Sequence, residues 1–180
     1  MAIISQQLTY VVFRTCAGPV GLVASPAGIV RLALPSEFPS SAANSLAVPG
    51  LPTTTAPLPA PEDSPLFQGL VPMLVRYFAG ERMAFDEVLD IAGATPFEQR
   101  VWRAARTVPH GETRSYAWLA REIAQPRATR AVGHALGRNP IPIIIPCHRI
   151  VRSDGALGGL SAGLDMKVWL LRLEGVLPAG

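Results

Sequence analysis

The sequence predicts a mixed α/β (α+β) protein with two domains, residues 1–90 and 91–180. Short β-prone runs separated by turn signals occupy the start of the chain, whereas helical periodicity and helix caps dominate after residue 95. Charge divides in the same way, since residues 1–90 carry 4 basic and 7 acidic side chains and residues 91–180 carry 12 and 6. The positive second domain indicates a polyanionic partner, although a solvated Arg-rich surface would give the same count.

Composition argues against several classes of protein. Of the 180 residues, 49% are hydrophobic, which is too many for a disordered chain. No apolar run approaches the about 18 residues of a membrane span, and the N-terminus lacks the basic start and apolar core of a secretory signal. We therefore expect a cytoplasmic monomer with no membrane partner. Two cysteines and three histidines without paired spacing predict neither a disulfide scaffold nor a structural metal.

The first domain begins with a predicted antiparallel meander. Its β-prone runs are residues 8–13, 20–24 and 29–34, which are separated by turns that contain glycine and proline. Residues 35–65 follow with eight prolines, no basic side chain and few large apolar ones. That composition cannot fill a core, so it predicts a long loop or linker.

One helix and one strand are predicted in the rest of the first domain. Residues 67–78 carry a helical apolar pattern, which Ala79-Gly80 ends. Pro72 lies inside this segment, and we expect it to break the helix or delay its start, because proline lacks the N–H that a helix interior needs. A short β-prone run over residues 85–89 is expected to form one more strand.

The second domain opens with a strong helix signal. Thr95 supplies a capping hydroxyl, Pro96 occupies the first helical position, and Glu98 occupies the third. An apolar face follows at helical spacing, and residues 108–111 are expected to close this helix.

Two further helices predict a helix-turn-helix. One starts at a Ser115 cap and runs through Ile123, and the other runs from about Arg127 to Leu136 with Gly137 as its C-cap. One face of the second of these helices is apolar and another is basic. The basic residues are Arg127, Arg130 and His134.

Residues 140–146 are a rigid, proline-rich apolar run that we expect to form a buried extended stretch leading to Cys147. A thiol needs help to ionise at neutral pH, so His148 beside it indicates a nucleophile with its base. Adjacent residues on extended backbone point to opposite sides, so a bridging water or a turn at Cys147 would be needed. For an isolated pair of this kind, the alternative is a buried cysteine beside a hydrogen-bonded histidine.

Several motifs together closely resemble the O6-alkylguanine-DNA alkyltransferase family, also called the methylated-DNA-protein-cysteine methyltransferases. They occur in the family's order across the second domain, whereas residues 1–90 match only loosely. The motifs are Thr95-Pro96-Phe97, Gly111-Glu112-Thr113, Arg130-Ala131-Val132-Gly133, Asn139-Pro140, Pro146-Cys147-His148-Arg149-Ile150 and Leu170-Leu171-Arg172-Leu173-Glu174-Gly175.

The resemblance implies a ribonuclease-H-like N-terminal α/β domain and a winged-helix-like C-terminal domain that carries the helix-turn-helix. It implies one irreversible transfer of an alkyl group from guanine O6, or from thymine O4, in double-stranded DNA to the active cysteine, with no cofactor or metal. Because the thioether product is stable, each molecule would act once. The alternative is a protein that binds alkylated DNA without transfer, but relatives of that kind typically lack the cysteine.

The resemblance assigns catalytic roles to five residues. Cys147 is the acceptor, His148 is a base that acts through a water, and Glu174 orients the imidazole. Tyr116 donates a hydrogen bond toward guanine N3, and Asn139 holds the turn between the recognition helix and the active-site segment.

The resemblance also assigns the DNA contacts. The damaged base must be flipped out of the duplex, and Arg130 would fill the vacated stack. Small side chains on the same helix would let it lie close to the minor groove. The residues implied at the DNA are Ser115, Tyr116, Arg127, Ala128, Thr129, Arg130, Ala131 and Gly133.

The lesion pocket is where the sequence departs from the family. Relatives commonly have an aromatic residue at the position of Leu160 and glycine at the position of Ala162. We hypothesise that Ala162 narrows the pocket and reduces tolerance of bulky adducts. The pocket residues implied are Pro142, Ser153, Leu157, Leu160 and Ser161.

Overall fold

The computed structural model describes residues 8–35, 56–57, 64–159 and 162–178 of the chain. The chain divides into two compact units, one of residues 1–81 with 86–90 and one of residues 82–85 with 91–180. The domain boundary at residue 90 stays a prediction. Among the described helices, none has both the length and the apolar character needed to cross a membrane.

The predicted meander is confirmed. Strands β1 (Thr9–Thr15), β2 (Gly18–Ser25) and β3 (Gly28–Ala33) pair in antiparallel order, with Thr9 opposite Ala24. The turn between β2 and β3 requires glycine at its end, because Gly28 has φ +146° and a Cβ there would lie 2.5 Å from the Val88 carbonyl oxygen.

Two further predictions for this unit, one of a loop and one of a strand, need correction. Within the predicted loop of residues 35–65, Ala56–Pro57 forms a short strand, β4, parallel to β1; most of that loop lies outside the described residues. The predicted strand over residues 85–89 is reduced to one bridge between Leu89 and Ile29. In that bridge only Ile29 exchanges backbone hydrogen bonds with the segment, so no ladder extends from it.

Helix α1 (Pro65–Phe78) runs through Pro72 without interruption, so the predicted break or late start is wrong. An interior proline costs about 3 kcal/mol. Burying each large apolar side chain contributes roughly 1.5–3 kcal/mol, so a full buried face outweighs that cost. The buried face consists of Phe67, Leu70, Val71, Leu74, Tyr77 and Phe78.

Helix α2 (Pro96–Ala105) begins as predicted, with a complete capping box. The Thr95 hydroxyl accepts from the Glu98 N–H, and the Glu98 carboxylate accepts from the Thr95 N–H at 3.0 Å. The helix ends at Ala105, earlier than the predicted close at residues 108–111. The Trp102 indole donates to the Ala135 carbonyl oxygen at 2.8 Å. This hydrogen bond holds α2 against the second helix of the predicted helix-turn-helix.

Helices α3 (Tyr116–Glu122) and α4 (Thr129–Gly137) form the predicted helix pair. Ser115 caps α3 by accepting from the Trp118 N–H at 3.1 Å. Gly137 is the last residue of α4 instead of its cap, and Arg138 takes the cap position, a shift of one residue at a frayed end.

Residues 140–146 are almost entirely buried, but they form a tight turn and not the predicted extended stretch. Ile143 has φ +74°, and the Ile145 N–H donates to the Ile141 carbonyl oxygen at 2.9 Å. Prolines 140, 142 and 146 have no N–H to contribute to a ladder, so the β-branched composition does not produce a strand.

The turn leads directly into the remaining elements of this unit. A 3-10 turn covers Cys147–Arg149, and strand β6 (Ile150–Val151) then pairs in parallel with β5 (Arg114–Ser115). Helix α5 (Leu164–Leu173) follows, with Glu174 at its C-cap.

Candidate active site

A cleft of about 450 Å³ brings Cys147 together with α4 and the start of α3. Cys147 is only 2% exposed, so the thiol lies at the bottom of the cleft. The sequence required a turn or a water at Cys147, and the 3-10 turn is present. The residues that line the cleft are Tyr116, Arg130, Gly133, His134, Leu136, Gly137, Cys147 and Gly159.

Asn139 connects the end of α4 to the thiol. Its amide nitrogen donates to Cys147 Sγ at 3.1 Å and to the Ile145 carbonyl oxygen at 2.8 Å. Its amide oxygen accepts from the Ile141 N–H at 2.9 Å. The side chain therefore connects both ends of the buried turn to the thiol.

His148 and Glu174 form a buried pair behind the thiol. The imidazole Nε2 lies 2.8 Å from Glu174 Oε1, and both side chains are fully excluded from solvent. The chain therefore brings together two groups that are 26 residues apart in sequence, as the family resemblance implies.

Arg149 is a second partner of Glu174, and sequence reasoning gave it no role. Its Nε donates to Glu174 Oε2 at 2.9 Å, its Nη2 donates to Oε1 at 2.9 Å, and its Nη1 donates to the Val108 carbonyl oxygen at 2.7 Å. The Gly111 N–H also donates to Oε2, at 3.2 Å. Burial by itself would raise the pKa of the Glu174 carboxyl, but the hydrogen bonds from His148 and Arg149 hold that pKa well below its usual value.

Burial favours the neutral forms of the thiol and of the imidazole. Burial raises the pKa of the Cys147 thiol, although the Asn139 amide and the Lys167 ammonium oppose that shift. Burial lowers the pKa of His148, with Glu174 opposing. A neutral imidazole can accept a proton, and a protonated thiol can supply one, so this resting state suits general-base activation.

Tyr116 lies against the opposite wall of the cleft. Its hydroxyl oxygen is 3.4 Å from the Gly159 carbonyl oxygen. Gly158 has φ +67°, and a Cβ on it would lie 2.7 Å from the Tyr116 hydroxyl, so the loop approaches the ring as closely as glycine allows. Burial, and next the nearby Cys147, raise the pKa of Tyr116, which therefore stays a proton donor.

Lys167 is a buried cation that sequence reasoning also missed. Its ammonium donates to the Ile150 carbonyl oxygen at 2.6 Å and lies 5.9 Å from the centre of the Tyr116 ring. Burial lowers its pKa to about 8, while the Cys147 side chain opposes the shift. One signal was available, because Lys167 is the only lysine among 16 basic residues.

The predicted DNA-contacting residues gather around the N-terminal half of α4. Arg130 is exposed and borders the cleft that holds Cys147. A Cβ placed on Gly133 would lie 3.8 Å from the Tyr116 ring. Ala128 takes the N-cap position. The others are Ser115 at the cap of α3, Thr129 at the first turn of α4, and the exposed residues Arg127 and Ala131.

Comparison with known proteins places the chain in a family. Residues 96–176 match the family model described as 6-O-methylguanine DNA methyltransferase, DNA binding domain. The chain is 51% identical over 113 residues to the methylated-DNA-protein-cysteine methyltransferase of Mycolicibacterium paratuberculosis, covering 63% of this chain and 68% of that protein. The chain belongs to the methylated-DNA-protein-cysteine methyltransferase family.

A second relative and a solved structure agree with that membership. The methyltransferase of the same name from Methanosarcina acetivorans is 47% identical over 114 residues, covering 63% of this chain and 72% of that protein. The crystal structure of Mycobacterium tuberculosis OGT in complex with DNA superposes with a TM-score of 0.75 at 39% identity, covering 93% of both chains. The resemblance of the motifs is thereby confirmed, as are the mixed α/β class and the activity of a DNA-repair alkyltransferase.

The roles of all the predicted site residues, including those of the lesion pocket, stay predictions. Pro142, Ser153 and Leu157 do not border the cleft, and Ser153 is exposed. Leu160 and Ser161 lie outside the described residues. Within the described ranges, no group of three or more His, Cys, Asp or Glu side chains is placed to hold a metal ion.

Proposed function

We propose that the chain repairs double-stranded DNA by moving the alkyl group of O6-alkylguanine onto Cys147 Sγ, once per molecule. The observation that carries this proposal is the cleft itself, in which a buried thiol shares its walls with Arg130 of α4. A thiol in a cleft that is bordered by a basic helix suits a substrate group presented by DNA.

The first chemical step in this proposal is loss of the thiol proton. His148 accepts it through a bridging water, and Glu174 stabilises the imidazolium that forms. The Asn139 amide already donates to the sulfur, and the Lys167 charge lowers the pKa of the thiol, so both favour the thiolate. The thiolate then attacks the alkyl carbon, forming the C–S bond as the C–O6 bond breaks and its electron pair moves onto the guanine.

Departure of the guanine requires a proton donor on the other side of the cleft. Tyr116 fills that role in the proposal by donating toward N3, which its raised pKa allows. The proton that His148 takes finally replaces the one that Tyr116 gives, so the protons balance. The thioether that forms is chemically stable, which agrees with a single turnover.

DNA engagement is proposed to use α4 from the minor groove. The alkylated base leaves the duplex at a cost of a few kcal/mol, and Arg130 occupies the space that it vacates. Ala128, Ala131 and Gly133 leave room for the backbone of the DNA near the helix.

The finer description of the fold belongs to the same proposal. We assign the ribonuclease-H-like form to residues 1–90 on the basis of the meander followed by α1. We assign the winged-helix-like form to residues 91–180 on the basis of three helices with a small parallel β5–β6 pair. The monomeric state and the cytoplasmic location stay predictions.

Intact mass tests this function directly. After incubation with a duplex that contains one O6-methylguanine, the protein should gain the mass of one CH₂ group and no more, however long the incubation. Cys147→Ala should bind the same duplex without any gain. A mass gain that survives in Cys147→Ala, or repeated turnover of the duplex, would overturn the proposal.

A further inference from the structure

Both oxygens of the Glu174 carboxylate, behind the active-site thiol, have two neighbouring donor groups. Oε2 accepts from Arg149 Nε at 2.9 Å and from the Gly111 N–H at 3.2 Å. Oε1 accepts from Arg149 Nη2 at 2.9 Å and lies 2.8 Å from His148 Nε2. The Arg149 guanidinium therefore spans both oxygens with paired donors, which is a strong geometry for a carboxylate.

Arg149 is itself held in place inside the protein. It is only 6% exposed, and its Nη1 donates to the Val108 carbonyl oxygen at 2.7 Å. A guanidinium group does not lose its proton in proteins, and neither does a backbone N–H. Glu174 therefore meets donors on both oxygens that keep their hydrogens, and this environment favours the ionised carboxylate, which can only accept.

This arrangement selects one tautomer of His148. Because an ionised Glu174 only accepts, the hydrogen between the two side chains belongs to the imidazole Nε2. A neutral imidazole carries one ring hydrogen, so Nδ1 is the nitrogen that takes up a further proton. A proton that leaves the Cys147 thiol and reaches the imidazole therefore has its resting place on His148.

Arg149 acts on both sides of the proton balance at His148. Burial lowers the pKa of His148, and Glu174 raises it. The charges of Arg149 and Lys167 lower the same pKa. His110 is a further titratable group beside this carboxylate, with its Nδ1 3.9 Å from Glu174 Oε1. Arg149 thus repels a proton on the imidazole and also compensates the carboxylate that attracts it.

We propose that Arg149 is a positioning residue for alkyl transfer, which keeps the thiol proton on His148 and prevents it from passing on to Glu174. By compensating Glu174, Arg149 also favours the neutral imidazole before the reaction, so that His148 is able to accept. This inference rests on the function proposed for the Cys147 cleft. It assigns to Arg149 an effect on the proton affinity of a group that it acts on through Glu174.

The first test compares Arg149→Met with Arg149→Lys, which keeps the positive charge. NMR follows the His148 imidazole as pH is varied. Loss of the charge in Arg149→Met should raise the pKa of His148 by roughly one pH unit or more, and Arg149→Lys should raise it less. An unchanged or lower pKa in Arg149→Met would overturn the proposal, since mere disruption of the site removes the Glu174 contact that raises this pKa.

The second readout is the single-turnover rate of methyl transfer from a saturating duplex that contains O6-methylguanine. The pH at which the rate falls on the acid side should move upward in Arg149→Met and stay closer to the wild-type position in Arg149→Lys. A lower rate at every pH, with no movement of that midpoint, would overturn the proposal. If the wild type gained no methyl group, the proposed function would fail, and the His148 titration would still test the effect of Arg149.

The wild-type protein provides a test that does not depend on the folding of a variant. The carboxyl carbon of Glu174 is followed by NMR across the pH range in which His148 titrates. Its chemical shift should remain that of an ionised carboxylate throughout this range. Protonation of Glu174 together with His148 would show that the proton reaches the carboxylate, and it would overturn the proposal.

Discussion

The two sides of Cys147 are built in opposite ways. Behind the thiol, Glu174 is fully buried and accepts hydrogen bonds from His148, Arg149 and Gly111. On the cleft side, Arg130 is exposed, and the Tyr116 hydroxyl has a long contact of 3.4 Å. The comparison shows a chemical side that is already organised and a DNA side that is left for the substrate to complete.

This contrast has a physical reason. A buried carboxylate must be paired, because removing a charge from water costs several kcal/mol. The Glu174 carboxylate is therefore held in place by its hydrogen-bond partners. Groups that meet DNA must stay solvated until the duplex arrives. Each of the following changes should disturb one side and spare the other.

Glu174→Gln should have the largest effect, because it leaves Arg149 buried without a compensating charge. Breaking a buried ion pair in this way costs about 3–5 kcal/mol in the free energy of unfolding. Methyl transfer should also slow, since the imidazolium of His148 loses its stabilising charge. Urea denaturation and single-turnover kinetics measure the two effects.

The double variant Glu174→Gln/Arg149→Met controls for this effect. It removes both charges, so it should lose less stability than the sum of the two single variants. Additive losses would mean that the pair does not act as a unit.

Arg130→Ala should affect the other side alone. The rate of transfer from duplex DNA should fall roughly 10- to 100-fold. Flipping the base costs a few kcal/mol, and without the Arg130 side chain in the vacated stack that cost is no longer offset. Transfer from free O6-benzylguanine base should be unchanged, as should stability, since the residue is exposed. Arg100→Ala, at an exposed arginine of α2 outside the predicted DNA contacts, serves as the control and should leave both rates unchanged. Equal losses on duplex and free base in Arg130→Ala would contradict the role of Arg130.

Gly158→Ala tests how tightly the cleft wall is closed. The new Cβ would meet the Tyr116 hydroxyl at 2.7 Å, so the ring must move and transfer should slow. Gly155→Ala is the matched control: it has a similar positive φ of +82°, but nothing lies within 4 Å of its Cβ. In both variants, backbone strain should lower the free energy of unfolding by about 1 kcal/mol. Only Gly158→Ala should also slow methyl transfer.

Acid should destabilise the organised side in two stages. The pKa of His148 lies below 6.5 in the fold because of burial, so the unfolded chain takes up that proton first. The free energy of unfolding should therefore fall as pH drops below the ordinary histidine value. Glu174, whose folded pKa is depressed, keeps its contribution above its ordinary value of 4.5 and loses it as pH falls further.

Urea denaturation from neutral to acidic pH measures both stages. In Glu174→Gln the second stage should be smaller than in the wild type. If the second stage were unchanged in that variant, the loss of stability at acidic pH would come from other carboxyl groups.

Ala162→Gly should have the smallest effect. If Ala162 narrows the lesion pocket, the variant should raise transfer of benzyl relative to methyl adducts, with little change in the methyl rate. Rates on duplexes carrying each adduct give the ratio, and an unchanged ratio would reject the hypothesis.

Local signals predicted the local structure well. The Thr95 capping box and the Ser115 cap appear as predicted, because each depends on atoms within three residues of one another. The break at Pro72 and the extended form of residues 140–146 were wrong. In the first case distant packing outweighs the proline, and in the second the prolines remove the donors that a strand would need.

By itself, the sequence determined the family and the order of the helices around Cys147, because these depend on motifs and on short-range periodicity. Only the tertiary structure decided that Arg149 grips Glu174 and that Lys167 is buried beside Tyr116. It also decided that burial raises the pKa of the thiol and lowers that of the imidazole. Ionisation depends on burial and on partners far apart in the chain, and neither is visible until the chain is folded.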